Sequence, residues 1–342
     1  MWFDVLQRFV IMGLAGEKPD RQSLPFFSLW LQRLRMSSID GRMSSRGVLV
    51  LIAFMASPIP QAVAASRVVA KPGMVSWQPA KLVPGSPVLF QISTSKNSRD
   101  VTAQWFGHEV TFFRDSSTTA WYGLAAVPLG TAAGTYELSL HETLASGKTI
   151  EISKTIKVAR AIYPKIAAKV AKQFTEPSAQ QLKEINADKD VKQQTFASKN
   201  PQKLWEGTFV APVSAPISDV FGTERVFNKE VLSRHQGLDY AVPAGTPVGA
   251  INRGTVLLAR PLYFEGNCVI LDHGQGLLSL YLHLSEFRVK EGEEVEPHQI
   301  IALSGGSGRA TGPHLHLAVR WQGLYLDPAI LLKLKFPEPS AP

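Results

Sequence analysis

What most constrains this chain is a two-residue hydrophobic period that appears in two separate stretches, each broken up by turn residues. In the first, short alternating runs recur at 87–94, 101–106, 110–114, 135–140 and 149–158, with Ala145-Ser146-Gly147 as a hairpin connection. That period puts one face of a strand against a core and the other in water. Five or more such strands in about 90 residues, without a helical pattern, predict a small antiparallel Ig-like sandwich over 66–160. From Leu204 to Phe336 the text is again strand-like and glycine-punctuated, as in GTPVGAINRGTVLLA and GNCVILDHGQGLLSLYLHL, and predicts a second antiparallel β unit over 205–337. Between them, 161–204 is rich in Ala, Lys, Gln and Glu and predicts a linker, helical or extended, with a mostly polar surface. The fold class expected is therefore all-β.

Composition closes off other classes. A chain of 342 residues with 45% hydrophobic and 19% charged residues is neither disordered nor collagenous nor a multi-span membrane protein. Residues 43–65 (MSSRGVLVLIAFMASPIPQAVAA) have a basic start at Arg46, an apolar run of about half the length a spanning helix needs, and an Ala62-Val63-Ala64 ending. That is the anatomy of an export signal cleaved near Ala64, with 1–42 as an extension ahead of a start at Met43. Its removal takes away seven of the 36 basic and four of the 28 acidic residues, so the net charge falls from +8 to +5. A charge of that size is no argument for nucleic acid. The lone Cys268 excludes an intramolecular disulfide, and no cysteine follows the apolar run to carry a lipid. The expected product is exported to a periplasm, cell wall or exterior, with no stable membrane anchor.

Six of the eight histidines lie in the second β unit. In His235-Gln236-Gly237-Leu238-Asp239, extended geometry places His235, Gly237 and Asp239 on one face, with Gly237 leaving room between two potential ligands. In His314-Leu315-His316 the same alternation turns both imidazoles to one side and buries the leucines on the other. His283 stands alone in an apolar run, Tyr281-Leu282-His283-Leu284. Two His and one Asp are a workable catalytic zinc set, since they leave a fourth tetrahedral position open. Two histidines then remain to handle protons.

With these motifs in this order, residues 205–335 resemble the lysostaphin/LytM-type zinc metallopeptidases, a peptidoglycan endopeptidase family with the duplicated hybrid motif fold. The matching text is PVSAPISDVFG, HQGLDYAVPAGTPVGAINRGTV, GNCVILDHGQGLLSLYLHL, GGSGRATGPHLHLAV and LYLDPAILL. The resemblance implies one zinc per chain on His235, Asp239 and His316, and gives His283 and His314 the family's non-ligand roles. It also implies hydrolysis of peptide bonds in peptidoglycan cross-links or stems by a zinc-activated water. One of His283 and His314 would take up and return the proton, and the other would hydrogen-bond the developing oxyanion. The family often has a Tyr shortly before the first ligand; 226–234 contains none, which leaves Arg234, Asn228 and Arg225 as candidates for oxyanion contact. The alternative function is a catalytically silent envelope protein that activates a cell-wall amidase; the five intact positions favour the enzyme.

The remaining candidates have plainer readings. His273 sits in a hairpin pattern and is expected to make a turn hydrogen bond, and His298 to be exposed. Cys268 is expected to be a small buried hydrophobe. Gly305-Gly306-Ser307-Gly308-Arg309 lacks the ending of a phosphate loop and is expected to be a flexible loop lining the cleft.

Overall fold

The computed structural model describes residues 74–337 apart from 95, 115–119, 199 and 230; the expected extension 1–42 and export signal 43–65 lie outside the described residues. Strands β1 (Val75–Gln78), β2 (Pro87–Ser93), β3 (Ser98–Trp105), β4 (His108–Arg114), β5 (Ala120–Ala126), β6 (Gly134–Leu144) and β7 (Thr149–Val158) form one antiparallel series in the order β1-β2-β5-β4-β3-β6-β7. Alternation does what the pattern requires: Val101, Ala103 and Trp105 of β3, and Leu138 and Leu140 of β6, point into a common core. Strand β5 (AWYGLAA) is buried almost throughout and so offers no alternation in the sequence.

The polar segment that follows is more than a spacer. Its strand β8 (Lys165–Ala168) pairs in parallel with β10 (Glu224–Phe227), which pairs antiparallel with β11 (Val231–Arg234). Helix α1 (Ala179–Thr195) starts at a capping box, in which Ser178 accepts from the Gln181 amide and the Gln181 side chain accepts from the Ser178 amide. It has no fully buried residue, and specific contacts fix it: Asp188 accepts from the Tyr263 amide and Lys192 pairs with Glu265 at 2.5 Å.

The remaining strands are β9 (Ile217–Asp219), β12 (Leu238–Tyr240), β13 (Pro247–Gly249), β14 (Gly254–Leu262), β15 (Gly266–Asp272), β16 (Leu277–Leu284), β17 (Glu286–Phe287), β18 (Glu294–Val295), β19 (Ile300–Leu303), β20 (Leu315–Trp321) and β21 (Leu324–Leu326), closed by the short helix α2 (Pro328–Leu331). Most join one sheet in the order β18-β14-β15-β16-β20-β12-β9, with β21 on β20; β13, β19 and β17 form a smaller sheet. The large sheet is buried on both faces. Val269, Leu271, Tyr281, Leu315 and Leu317 face the main core, whereas Cys268, Ile270, Leu278, Leu280 and Ala318 form a second cluster that Val191 and Phe196, from α1 and its C-terminal end, help to cover. Each aliphatic side chain so buried contributes roughly 1.5–3 kcal/mol. The two β units also touch directly, through the Phe113 and Trp205 rings and a Gln322 amide donating to the Glu109 carbonyl at 2.7 Å. No helix among the described residues is long and apolar enough to cross a membrane.

Candidate active site

The site lies on the second face of the large sheet, where the covering helix stops. Strand β20 places His316 directly opposite Asp239 of β12 on one side and Leu282 of β16 on the other. Leu315 and Leu317 are fully buried on the far face, so the strand's alternation leaves the His316 side chain no other direction. His235 is not in the same strand as Asp239: β11 ends at Arg234 and β12 starts at Leu238. Its ring nevertheless meets the carboxylate across that turn. The room at Gly237 is filled by His316, since a Cβ there would lie 2.4 Å from His316 Nε2.

Three atoms converge. His235 Nε2 lies 3.1 Å from Asp239 Oδ1 and 3.0 Å from His316 Nδ1, and His316 Nδ1 lies 2.7 Å from Asp239 Oδ1. His235 Nδ1 is 2.8 Å from the Val220 carbonyl, which can only accept, so Nδ1 carries the proton and Nε2 turns its lone pair inward. Two imidazole nitrogens and one carboxylate oxygen, all on buried residues, are the donor set that suits zinc or a similar first-row divalent metal. Burial alone would raise the Asp239 carboxyl, but the two imidazoles against it hold it well below the usual carboxylate range. Burial pushes His316 down.

An arginine closes the outer side. Arg225 of β10 donates from Nη2 to Asp239 Oδ2 at 2.5 Å and from Nε to Asp219 Oδ2 at 2.8 Å, so the oxygen of Asp239 that does not face the histidines is occupied. Asp219 is held in turn by the Thr223 hydroxyl at 2.7 Å and the Val220 amide at 2.9 Å. Of the three candidates for oxyanion contact, Arg225 is thus committed to two carboxylates. Arg234 donates to Glu224 at 2.8 Å, and the Asn228 amide group bonds Val170 and Thr175.

His283 and His314 stand beside this group with ring centroids 4.8 Å apart, and His314 Nε2 is 3.9 Å from Asp239 Oδ1. Each has its Nδ1 2.8 Å from a carbonyl, that of Ser307 for His283 and that of Gly312 for His314. Each therefore carries a proton on Nδ1 and turns Nε2 toward the site. Burial, with His316 and His314 adding to it, pushes His283 down to about 3. His283 also has φ +62°, and the β15–β16 register shifts between Asn267 and Val269, so a bulge re-aims its side chain out of an otherwise apolar strand. Nothing in Tyr281-Leu282-His283-Leu284 signals that bulge.

The loop after β19 is tied down rather than loose. Ser307 donates its hydroxyl to the Leu284 carbonyl at 2.7 Å and accepts from the Asn267 amide at 2.9 Å, and the Arg309 amide donates to the Phe264 carbonyl at 2.9 Å. Such close backbone contact needs Gly308, at φ +71°, where a Cβ would sit 2.3 Å from the Gly266 nitrogen. The other candidates lie outside the site. His273 is buried between the Arg253 carbonyl and the Ser279 hydroxyl, His298 is exposed, and Cys268 is buried in the second cluster.

Residues 233–328, which hold all five converging side chains, match the sequence profile of Peptidase family M23. This segment is a peptidase family M23 domain. The chain is 41% identical over 107 residues to the peptidoglycan DD-endopeptidase ShyA of Vibrio cholerae, covering 31% of this chain and 24% of that protein. It is 40% identical over 104 residues to the DD-carboxypeptidase/endopeptidase Mpg of Neisseria meningitidis, covering 30% of this chain and 24% of that one. The chain thus spans about a quarter of the length of these curated relatives. A crystal structure from Pseudomonas aeruginosa assigned to peptidase M23 superposes with a TM-score of 0.56 at 28% identity, over 74% of this chain and 95% of that one. That likeness reaches well beyond the M23 segment.

Proposed function

We propose that this chain is an exported zinc-dependent endopeptidase that hydrolyses peptide bonds in peptidoglycan cross-links or stems. The observation that carries the reading is the convergence of His235 Nε2, Asp239 Oδ1 and His316 Nδ1 within 3.1 Å of one another, beside two further histidines, each held at Nδ1 by a backbone carbonyl. The named relatives supply the substrate class, and the signal-like residues 43–65 the export. One zinc per chain would be held by these three atoms; when bound, it polarises a scissile carbonyl and acidifies water at neutral pH.

The chain's own groups do the rest. Arg225 fixes Asp239 so that a single oxygen faces the two imidazoles. His283 and His314 present Nε2 to the site, oriented at Nδ1 by the Ser307 and Gly312 carbonyls; one of them takes up a proton at Nε2 and delivers it to the leaving amine, while the other, carrying a proton on Nε2, donates to the developing oxyanion. The first β unit, taken as an Ig-like sandwich, orients the catalytic unit through Phe113 and Gln322. Digestion of purified sacculi, with chromatographic separation of the products, tests the reading: new peptide ends that depend on zinc are expected, and their absence overturns it. His314→Ala should abolish cleavage with zinc still near one per chain, whereas His316→Ala should lose the metal.

A further inference from the structure

The geometry points to Arg309 as a carboxylate clamp for the peptide substrate, set between the two cavities that flank the metal-ligand group. The inference rests on the peptidase reading of the same site.

One cavity, of about 160 Å³, is walled by His235, His283 and His316; the other, of about 330 Å³, by Asp239 and His314. Arg225, Phe227 and Arg309 line both, so any chain laid across the site passes these three. Arg225 is neutralised by Asp219 and Asp239, and Arg234, on the first cavity, by Glu224. Arg309 differs. Among the described residues its guanidinium has no hydrogen-bonded or ion-paired partner, although its side chain is partly buried and lies over the rings of Phe227 and Phe264, at 4.9 and 4.8 Å from their centroids. The acid in the same cavity, Glu265, gives Oε1 to Lys192 from helix α1 at 2.5 Å; its charge reaches Arg309 but forms no ion pair or hydrogen bond with it.

A cation held this way is unusual. Aromatic contact replaces part of its hydration, and burial lowers its pKa, so it is desolvated without being discharged. Its backbone is also fixed, because the Arg309 amide is bonded to the Phe264 carbonyl and Gly308 permits the close packing of the two backbones, and the two rings hold the guanidinium. A preordered guanidinium offers parallel N–H donors, and the planar partner that matches them is a carboxylate. Peptide stems carry free carboxylates close to the amides that join them, and a carboxylate docked on Arg309 would hold the scissile amide beside His283 and His314. Arg309 is then a specificity residue that touches substrate.

The test uses a cross-linked stem-peptide dimer purified from sacculi and the same dimer with its carboxyls converted to amides. Binding is measured by calorimetry on the full-length chain carrying His314→Ala, with and without Arg309→Gln, and turnover on the zinc-loaded chain with the native His314. The free-acid dimer should bind about 10- to 100-fold more weakly once Arg309 is Gln, while the amidated dimer binds weakly to both. Turnover on the free acid should lose kcat/KM by a similar factor, mainly through KM. Arg309→Lys, which keeps the stem and the charge but not the fork, should fall between and covers the case in which Arg309→Gln does not fold. Carboxylate-dependent and Arg309-dependent binding without cleavage supports the clamp and overturns the peptidase reading. Equal binding of acid and amide by the Arg309 chain, with cleavage intact, overturns the clamp alone. No binding of either dimer overturns both.

Discussion

A single methyl group at Gly237 should disconnect the metal site. A Cβ there would stand 2.4 Å from His316 Nε2, 2.5 Å from His316 Cε1 and 2.6 Å from the Leu317 carbonyl oxygen. Ordinary contact needs about 3.5 Å, so something must retreat by about 1 Å. The Leu317 carbonyl cannot, because β20 is hydrogen-bonded to β12 on one side and β16 on the other. His316 must swing, by roughly twice the 0.5 Å within which a functional constellation has to be held. The backbone at Gly237 is not in the left-handed region, so the penalty is steric alone: about 1–3 kcal/mol of overpacking, with the fold retained. Loss of zinc affinity should be at least about 100-fold, the upper end of what disturbance of supporting groups causes. Zinc affinity would be read by competition with a chromogenic chelator, and stability by thermal melting in excess chelator. Gly130→Ala, where no atom lies within 4 Å, serves as the control and should change neither. A Gly237→Ala chain that binds zinc like its parent would refute the idea that His316 occupies the space this glycine leaves.

Three further outcomes follow from neighbouring features. Arg225→Gln removes the cation between Asp219 and Asp239 and should weaken zinc about 10- to 100-fold, with Arg225→Lys recovering part; chelator competition reads both. Burial lowers the folded-state pKa of His273 to about 4, below the usual histidine value near 6.5, so the unfolded chain takes up the proton first as pH falls. Its contribution is present above about pH 6.5 and is lost on the way down to about pH 4, roughly 3 kcal/mol in all. Urea unfolding of the metal-free chain at several pH values should show that slope reduced in His273→Gln. Burial raises the Cys268 thiol well above its ordinary range, so a thiol reagent at pH 8 should leave the native chain unmodified and react only once it is unfolded.

His314 and His316 were legible because their spacing is strand spacing, whereas His235 and Asp239 meet across the turn between β11 and β12. Asp239 and His316 sit in short strands whose alternate residues enter the main core, so the period that buries Leu315 and Leu317 also aims His316. His283 was legible as an isolated polar residue in an apolar run. The bulge that turns it was not, since it depends on the register of β16 against β15. Arg225 and Asp219 were harder: Asp219 lies in the matching PVSAPISDVFG text and Arg225 was a candidate for oxyanion contact, but their pairing with each other and with Asp239 comes from β9 and β10 being brought beside β12, which no spacing announces. The loop at 305–309 read as flexible from its glycines, yet the same glycines are what allow two backbones to pack together. Helix α1 had the composition of a solvated linker, and its anchoring by Asp188 and Lys192 rests on partners more than 70 positions away.

Strand β8 also bears on where this protein can be cut. It covers one side of β10, the strand that delivers Arg225 and Phe227. A fragment begun at residue 205, where composition alone would place the scissors, would leave the amides and carbonyls of β10 bare along that side. Such an edge is a template for another chain to add itself. An expression fragment that starts ahead of Lys165 should stay soluble where the shorter one associates, so the shortest workable form of this protein includes a segment whose composition marks it as dispensable.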